Sequence, residues 1–306
     1  MDKIAVLIPC KDEATAIAKV VNDFRQVLPE AVVYVYDNCS TDDTARLAAE
    51  VGAVVRREPV PGKGNVVRRM FREVEAECYV MVDGDDTYPA ETAPQLVEAI
   101  VKHGADMAIG DRLSTTYFDE NKRPMHNAGN RLVRNLVRSI YHIEVRDIMT
   151  GYRAFSRRFV KLFPVMSSGF QVETEMTLHA LDKRFVIEQV PIVYRDRAEG
   201  GSMSKLNTLA DGRRVLQTIL VLFKEYKPMR FFGWLAALLA IVALAFFIPI
   251  LVEYIHTHLV PRFPTLFLSL FLAMAALMST FTGLMLDVMA QKDRKAYELK
   301  VIAFKD

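Results

Sequence analysis

Apolar and polar positions alternate in a regular way through the first third of the chain. Short β-branched runs at 4–9 (IAVLIP), 32–37 (VVYVYD), 53–58 (AVVRRE), 79–83 (YVMVD) and 106–111 (DMAIGD) read as strands. Between them, helical spacing of apolar residues predicts helices near 14–28, 41–51, 63–76 and 90–103. This order predicts an α/β domain whose mostly parallel sheet is covered by helices on both faces. In such sheets ligands bind outside the carboxyl ends of the strands. That rule gathers four polar segments on one rim: Pro9 to Glu13, Asp37 to Ser40, Asp83 to Asp86, and Asp111 with Arg112.

Past residue 113 the pattern loosens and then changes kind. Residues 130–141 set Leu132, Val133, Leu136, Val137 and Ile140 opposite Arg131, Arg134 and Arg138. Residues 207–226 repeat the theme, with Leu209, Leu216, Ile219, Leu220 and Phe223 opposite Asp211, Arg213, Arg214 and Lys224. The second stretch directly precedes an apolar run and reads as a helix lying in a membrane interface. The first reads equally well as a helix covering the sheet. From 231 to 252 the chain runs FFGWLAALLAIVALAFFIPILV, and from 266 to 289 LFLSLFLAMAALMSTFTGLMLDVM, with Asp287 as the only charge. Each run would extend roughly 33–36 Å as a helix, enough to cross a hydrocarbon core of about 30 Å. A C-terminal two-helix transmembrane hairpin is therefore predicted. Lys224, Lys227 and Arg230 before it, and Lys292, Arg294 and Lys295 after it, place both ends in the cytoplasm by the positive-inside rule. The predicted organisation is a cytoplasmic globular domain over 1–206, interfacial helices over 207–229, the membrane hairpin over 230–290 and a cytoplasmic tail over 291–306.

Composition narrows the chemistry. The 306 residues carry a formal charge of +2, whereas a nucleic-acid-binding domain usually shows a strong basic excess. Cys10, Cys39 and Cys78 form no CxxC pair and suit a reducing compartment. No signal peptide is expected ahead of MDKIAVLIP, whose apolar run is short and ends at Pro9. GxGxxG, GxxxxGK[ST] and HExxH are all missing, which disfavours a dinucleotide cofactor, a P-loop and a zinc site. What remains is Asp83, Asp85 and Asp86 crowded at the end of an apolar strand. Like charges this close repel unless a cation or hydrogen-bond donors fill the cluster. Hard carboxylate oxygens suit Mg²⁺ or Mn²⁺, ions that bridge to phosphates. A solvated acidic turn punctuated by Gly84 and Pro89 is the plainer alternative.

Four ordered motifs, PCKDEATAI, YDNCSTDDT, GKGNVVRRM and VDGDDTY, resemble the nucleotide-binding domain of glycosyltransferase family 2, with its Rossmann-like GT-A fold. DIMTGYRAFSRR (147–158), GFQVETEM (169–176), SMSKL (202–206) and the two terminal spans resemble the branch that glycosylates polyprenyl phosphates. That branch includes dolichol-phosphate mannosyltransferase and bacterial polyisoprenyl-phosphate glycosyltransferases. The resemblance implies that Pro9, Lys11, Glu13 and Asp37 hold the nucleoside of a UDP- or GDP-linked sugar donor. It further implies that Asp83 and Asp85 form a DxD signature around Mg²⁺ or Mn²⁺. Departure of a nucleoside diphosphate develops charge that a divalent cation neutralises; Lys63 and Arg112 are candidates to add to this stabilisation, with a solvated residue of the PGKGN turn as the equal alternative for Lys63. A lipid phosphate acceptor is already anionic and needs cationic guidance, for which Arg153 and Lys205 are the candidates inside the motifs. Asp85, Arg112, Arg153 and Lys205 are thus the expected catalytic set, in an inverting transferase of the inner (plasma) membrane. The plainer alternative for Arg153 is a pairing with Asp147 or Glu173 that holds the loop. Two departures, Cys10 in the first motif and DNCS where DDGS is commoner, leave the base preference open. A homo-oligomer is also left open. A polysaccharide-extending synthase would be expected to carry Gln-x-x-Arg-Trp, yet the only Trp is Trp234 in the first apolar span; an inactive scaffold of the same fold is the third alternative.

Overall fold

The computed structural model describes residues 1–114, 134, 137–139, 143, 145–193, 220, 221, 223, 224 and 226–304. Lys205, Arg131, the SMSKL segment and most of the two amphipathic stretches lie outside the described residues.

β1 (Asp2–Cys10) carries Ala5, Val6, Leu7 and Ile8 with no exposed surface, the continuous burial of a strand covered on both faces. α1 (Ile17–Val27) turns Ile17, Val20, Val21 and Phe24 to the core at helical spacing. β2 (Ala31–Asp37), α2 (Thr44–Glu50), β3 (Val54–Arg57), α3 (Lys63–Glu73), β4 (Ala76–Met81), α4 (Ala93–Val101) and β5 (Met107–Asp111) continue the predicted alternation. β6 (Arg153–Ser156), α5 (Arg157–Leu162), α6 (Val172–Asp182) and β7 (Ile187–Pro191) follow. The sheet runs β3-β2-β1-β4-β6-β5-β7, parallel throughout except that β6 lies antiparallel to both β4 and β5. Its register sets Cys10 beside Asp37 and Leu7 beside Met81, so β1, β2 and β4 all release the chain at one edge. This is the mostly parallel α/β sheet that the alternation predicts, with one antiparallel strand added.

β6, α5, α6 and β7 escape the periodicity that revealed the earlier elements. β6 has only four residues. α6 is buried at every position from Val172 to Leu181, so it lacks the polar stripe that marks an amphipathic helix.

The chain divides into two compact units, one of Met1–Thr218 with Lys300–Asp306 and one of Ile219–Leu299. The second holds α7 (Pro228–Thr257) and most of α8 (Phe263–Ala303), both long and apolar enough to cross a membrane. Ala236, Ala243 and Ala276 are buried in this unit, and the Ser279 hydroxyl donates to the Phe232 carbonyl at 3.0 Å. A Cβ on Gly283 would meet the Phe232 Cβ at 2.9 Å, so small residues set the close approach of the two helices. Their large apolar side chains, among them Trp234, Leu238 and Phe271, face outward. α8 runs on past the apolar span to Ala303, because AQKDRKAYELKVIA (290–303) contains good helix formers and neither Gly nor Pro. At about 1.5 Å per residue its length is roughly twice a hydrocarbon core.

Candidate active site

Three strand ends meet around a buried thiol. Cys10 ends β1, and burial pushes its thiol well up, reinforced by the nearby carboxylates of Glu13, Asp83, Asp37 and Asp85. Those four acids come from the ends of β1, β2 and β4, three of the four segments that topology assigns to the rim. A Cβ on Gly84 would fall 2.5 Å from the Cys10 sulfur, which is why the acidic cluster needs a glycine at its second position.

The three aspartates relieve their repulsion by parting. Asp86 takes a left-handed backbone (φ 59°) and its carboxylate accepts from Lys19 Nζ of α1 at 2.8 Å. Asp85 accepts from the Thr87 hydroxyl at 2.6 Å and from the Thr87 N–H at 3.3 Å. Asp83 accepts from Lys63 Nζ at 2.5 Å. Asp86 is thereby drawn toward α1, leaving Asp83 and Asp85 as the acids of the rim.

Lys63 is the first residue of α3, and its ammonium also lies 2.6 Å from Glu173 in the first turn of α6. Burial opposes the Lys63 charge, but Asp83 and Glu173 outweigh it and raise the pKa. Burial raises the Glu173 carboxyl, with Lys63 acting against the shift and Asp83 adding to it. Glu173 Oε2 is buried and, among the described residues, makes no hydrogen bond.

Asn38 holds the turn that delivers Lys63. Its amide oxygen accepts from the Gly62 N–H at 2.7 Å, and its amide nitrogen donates to the Glu58 and Val60 carbonyls at 3.0 and 2.9 Å. The Asn of DNCS is thus turned to the 58–62 chain, and an aspartate could not donate to those carbonyls. Asn38→Asp is expected to lose about 1–3 kcal/mol of stability, read by denaturant unfolding; an unchanged midpoint would exclude the clip.

The first motif is tied to the second by side chains. The Asp12 N–H donates to the Ser40 hydroxyl at 2.9 Å, the Glu13 N–H to the Thr44 hydroxyl at 2.8 Å, and the Thr41 N–H to Asp12 at 2.7 Å. Asp37 is nearly buried, and its carboxylate accepts from the Ser40 N–H at 3.3 Å. Pro9 is half-buried and Lys11 exposed at the same strand end.

A loop covers the rim from the β6 side. Asp147 holds Arg112 at both oxygens, Nε at 2.7 Å and Nη2 at 3.0 Å, and this pair is buried. A Cβ on Gly151 would lie 2.5 Å from Asp83 Oδ2, so only a glycine lets the loop pass. The Gly151 N–H donates to the Tyr88 hydroxyl at 3.2 Å, and the Arg112 guanidinium stacks 5.9 Å from the Tyr88 ring centre.

Arg153 departs from the expectation that it faces an acceptor. It is fully buried and donates to the carbonyls of Ile148 (2.6 Å) and Thr150 (3.0 Å) and to the Thr177 hydroxyl (2.8 Å). Burial lowers its pKa to about 10, against the pull of Glu173 and Asp147, so it stays charged near neutrality. Its fork therefore braces the loop from beneath, through carbonyls rather than the acidic partners considered as the plainer alternative. Gly151 is the site residue that local pattern did not single out, while Asp147 and Glu173 were considered only as partners of Arg153 and Asn38 only as a departure in DNCS; all four lie inside the quoted motifs.

Among the described residues no three His, Cys, Asp or Glu side chains group as a metal cage. Asp83 and Asp85 offer two carboxylates. That set fits Mg²⁺ or Mn²⁺, which complete their shells with water and substrate phosphate oxygens.

Residues 5–163 match the family model for glycosyl transferase family 2. The chain belongs to this family. The glycosyltransferase AglJ of Haloferax volcanii is 33% identical over 233 residues, covering 76% of each chain. The dolichyl-phosphate hexose transferase of the same organism is 27% identical over 219 residues, 72% of this family member and 93% of its own length. Among solved structures, glucosyl-3-phosphoglycerate synthase from Mycobacterium tuberculosis, crystallised with Mn²⁺, UDP and glucosyl-3-phosphoglycerate, superposes with a TM-score of 0.57 at 23% identity. It covers 72% of this glycosyltransferase and 80% of its own chain. That likeness concerns the fold.

Proposed function

We propose that this glycosyltransferase moves a sugar from a UDP- or GDP-linked donor to polyprenyl phosphate at the cytoplasmic face of a membrane, inverting the anomeric centre. The observation that carries it is the convergence of Glu13, Asp37, Asp83 and Asp85 around Cys10, with Lys63 at Asp83. The kinship with a dolichyl-phosphate hexose transferase supports the acceptor class.

In this reading Pro9, Lys11, Glu13 and Asp37 hold the nucleoside, while Asp83 and Asp85 hold Mg²⁺ or Mn²⁺ beside the diphosphate. The bound ion would neutralise the charge that develops on the leaving nucleoside diphosphate. Lys63 keeps a second cation at the same strand end, fixed by burial rather than free to wander. Arg112 and Arg153 act through the 147–153 loop, which they hold over Asp83. An acceptor phosphate arrives without a proton to lose, so positive charge guides it and no general base is needed. Lys205 is the proposed source of that charge.

The test is to incubate membranes with radiolabelled nucleotide sugar and polyprenyl phosphate and extract with organic solvent. Label should enter the lipid, stop in EDTA and return with Mg²⁺ or Mn²⁺. NMR should show a β-linked product from an α-linked donor, as one displacement inverts. Label in polymer would favour a polysaccharide synthase, no label an inactive scaffold, and full activity in chelator would exclude the metal role.

The hairpin is proposed as an anchor for the region 1–206, with 207–229 in the interface and both termini cytoplasmic. The flanking basic residues motivate this topology. A reporter fused after Asp306 should signal in the cytoplasm; a translocated signal would invert the arrangement.

A further inference from the structure

We propose that Glu173 is a positioning residue that keeps Lys63 from neutralising Asp83, and thereby sets how tightly the acidic rim takes a divalent cation. It rests on the reading of Asp83 and Asp85 as the cation's ligands.

One ammonium serves two carboxylates here. Lys63 Nζ stands 2.5 Å from Asp83 Oδ1 and 2.6 Å from Glu173 Oε1, and the lysine side chain is 9% exposed. Lys63 and Glu173 together carry no net charge, which leaves the Asp83 charge available to an incoming cation. Without the Glu173 charge, Lys63 and Asp83 would form a neutral pair, and the cation would meet an ammonium at the oxygen it must bind.

The second oxygen of Glu173 points to the same role. When a cation takes Asp83, the displaced ammonium needs another acceptor within its buried pocket, because leaving a buried donor unpaired is costly. Glu173 Oε2 is buried and makes no hydrogen bond among the described residues, so it is placed to receive that proton donor. Lys63 would then move from one oxygen of each acid to both oxygens of Glu173. The Phe170 ring lies 5.9 Å from the ammonium, within cation–π reach.

Structural duty on this turn of α6 falls to a different acid. Glu175, two residues on, accepts from the N–H groups of Met166 (3.0 Å) and Ser167 (2.9 Å) and so pins the preceding loop. The Glu173 carboxylate meets Lys63 and the N–H of its own residue, and it does not share the loop contacts of Glu175, which assigns its charge to the lysine rather than to the loop.

The experiment measures Mn²⁺ binding to the donor-free, detergent-solubilised full chain by electron paramagnetic resonance, with circular dichroism as the check on folding. Glu173→Gln should weaken Mn²⁺ binding about tenfold or more, the scale on which one adjacent opposite charge shifts a carboxylate equilibrium. Glu173→Asp, which keeps the charge, should restore most of the affinity. Lys63→Met with Glu173→Gln should bind at least as tightly as the wild type, because Asp83 is then unpaired. Wild-type affinity in Glu173→Gln would overturn the proposal, as would a double variant as weak as Glu173→Gln alone. A wild-type chain that binds no Mn²⁺ would overturn the ligand assignment itself, a failure that leaves the lipid-labelling result to stand separately.

Discussion

Arg112→Ala is expected to remove about 3–5 kcal/mol of unfolding free energy, the cost of stranding one member of a buried ion pair. The Asp147 side chain is 1% exposed and grips Arg112 at both oxygens while also accepting from the Arg112 backbone N–H at 3.3 Å. Alanine would leave that carboxylate buried with its main counter-ion gone. The damage would not stay local, because Asp147 starts the loop that carries Gly151 across Asp83. Transfer activity should therefore fall with stability. Arg112→Lys should lie between the two, since an ammonium restores charge but cannot span two carboxylate oxygens as a guanidinium fork does. Denaturant unfolding in detergent is the measurement. A loss under about 1 kcal/mol would put the pair in the range of solvated surface bridges and contradict its burial.

Asp85→Asn should reduce the transfer rate by about 10²–10³-fold or more, the effect of removing one preorganised electrostatic group from a transition state, with an unchanged melting temperature. Stability is spared because asparagine still offers an oxygen to the Thr87 hydroxyl and N–H that Asp85 now engages. The informative control is Asp86→Asn. That carboxylate pairs with the half-exposed Lys19, and such pairs are worth about 0–1 kcal/mol, so turnover should change by less than about fivefold. Initial rates of lipid labelling at saturating donor decide the matter. Equal losses in both variants would mean that the cluster acts only as bulk negative charge, and the assignment of roles to its members would fail.

Arg153 and Lys63 show how a residue's chemistry depends on its surroundings. Both stand in motifs that suggested a cation offered to a phosphate. Arg153 is sealed under its loop among carbonyls, whereas Lys63 sits between two acids at the strand ends.

Local periodicity was enough for β1 to β5, for α1 to α4 and for the two apolar spans, because each of those elements repeats its burial pattern along the chain. The strand-end rule then brought Asp37, Asp83 and the first motif to one rim without any tertiary information, since parallel β-α-β order leaves little choice of where those ends meet. The sequence by itself thus determined the fold class and the place of the acidic cluster on a candidate rim. Only the tertiary structure decided which cation each acid holds. It inserted β6 antiparallel between β4 and β5, and so carried the 147–153 loop over Asp83 and α6 up to Lys63. A charge partner is chosen by distance in space between segments far apart in the chain, and burial, which turns Arg153 into a brace and Glu173 into a counter-ion, has no local signature in residue type or spacing.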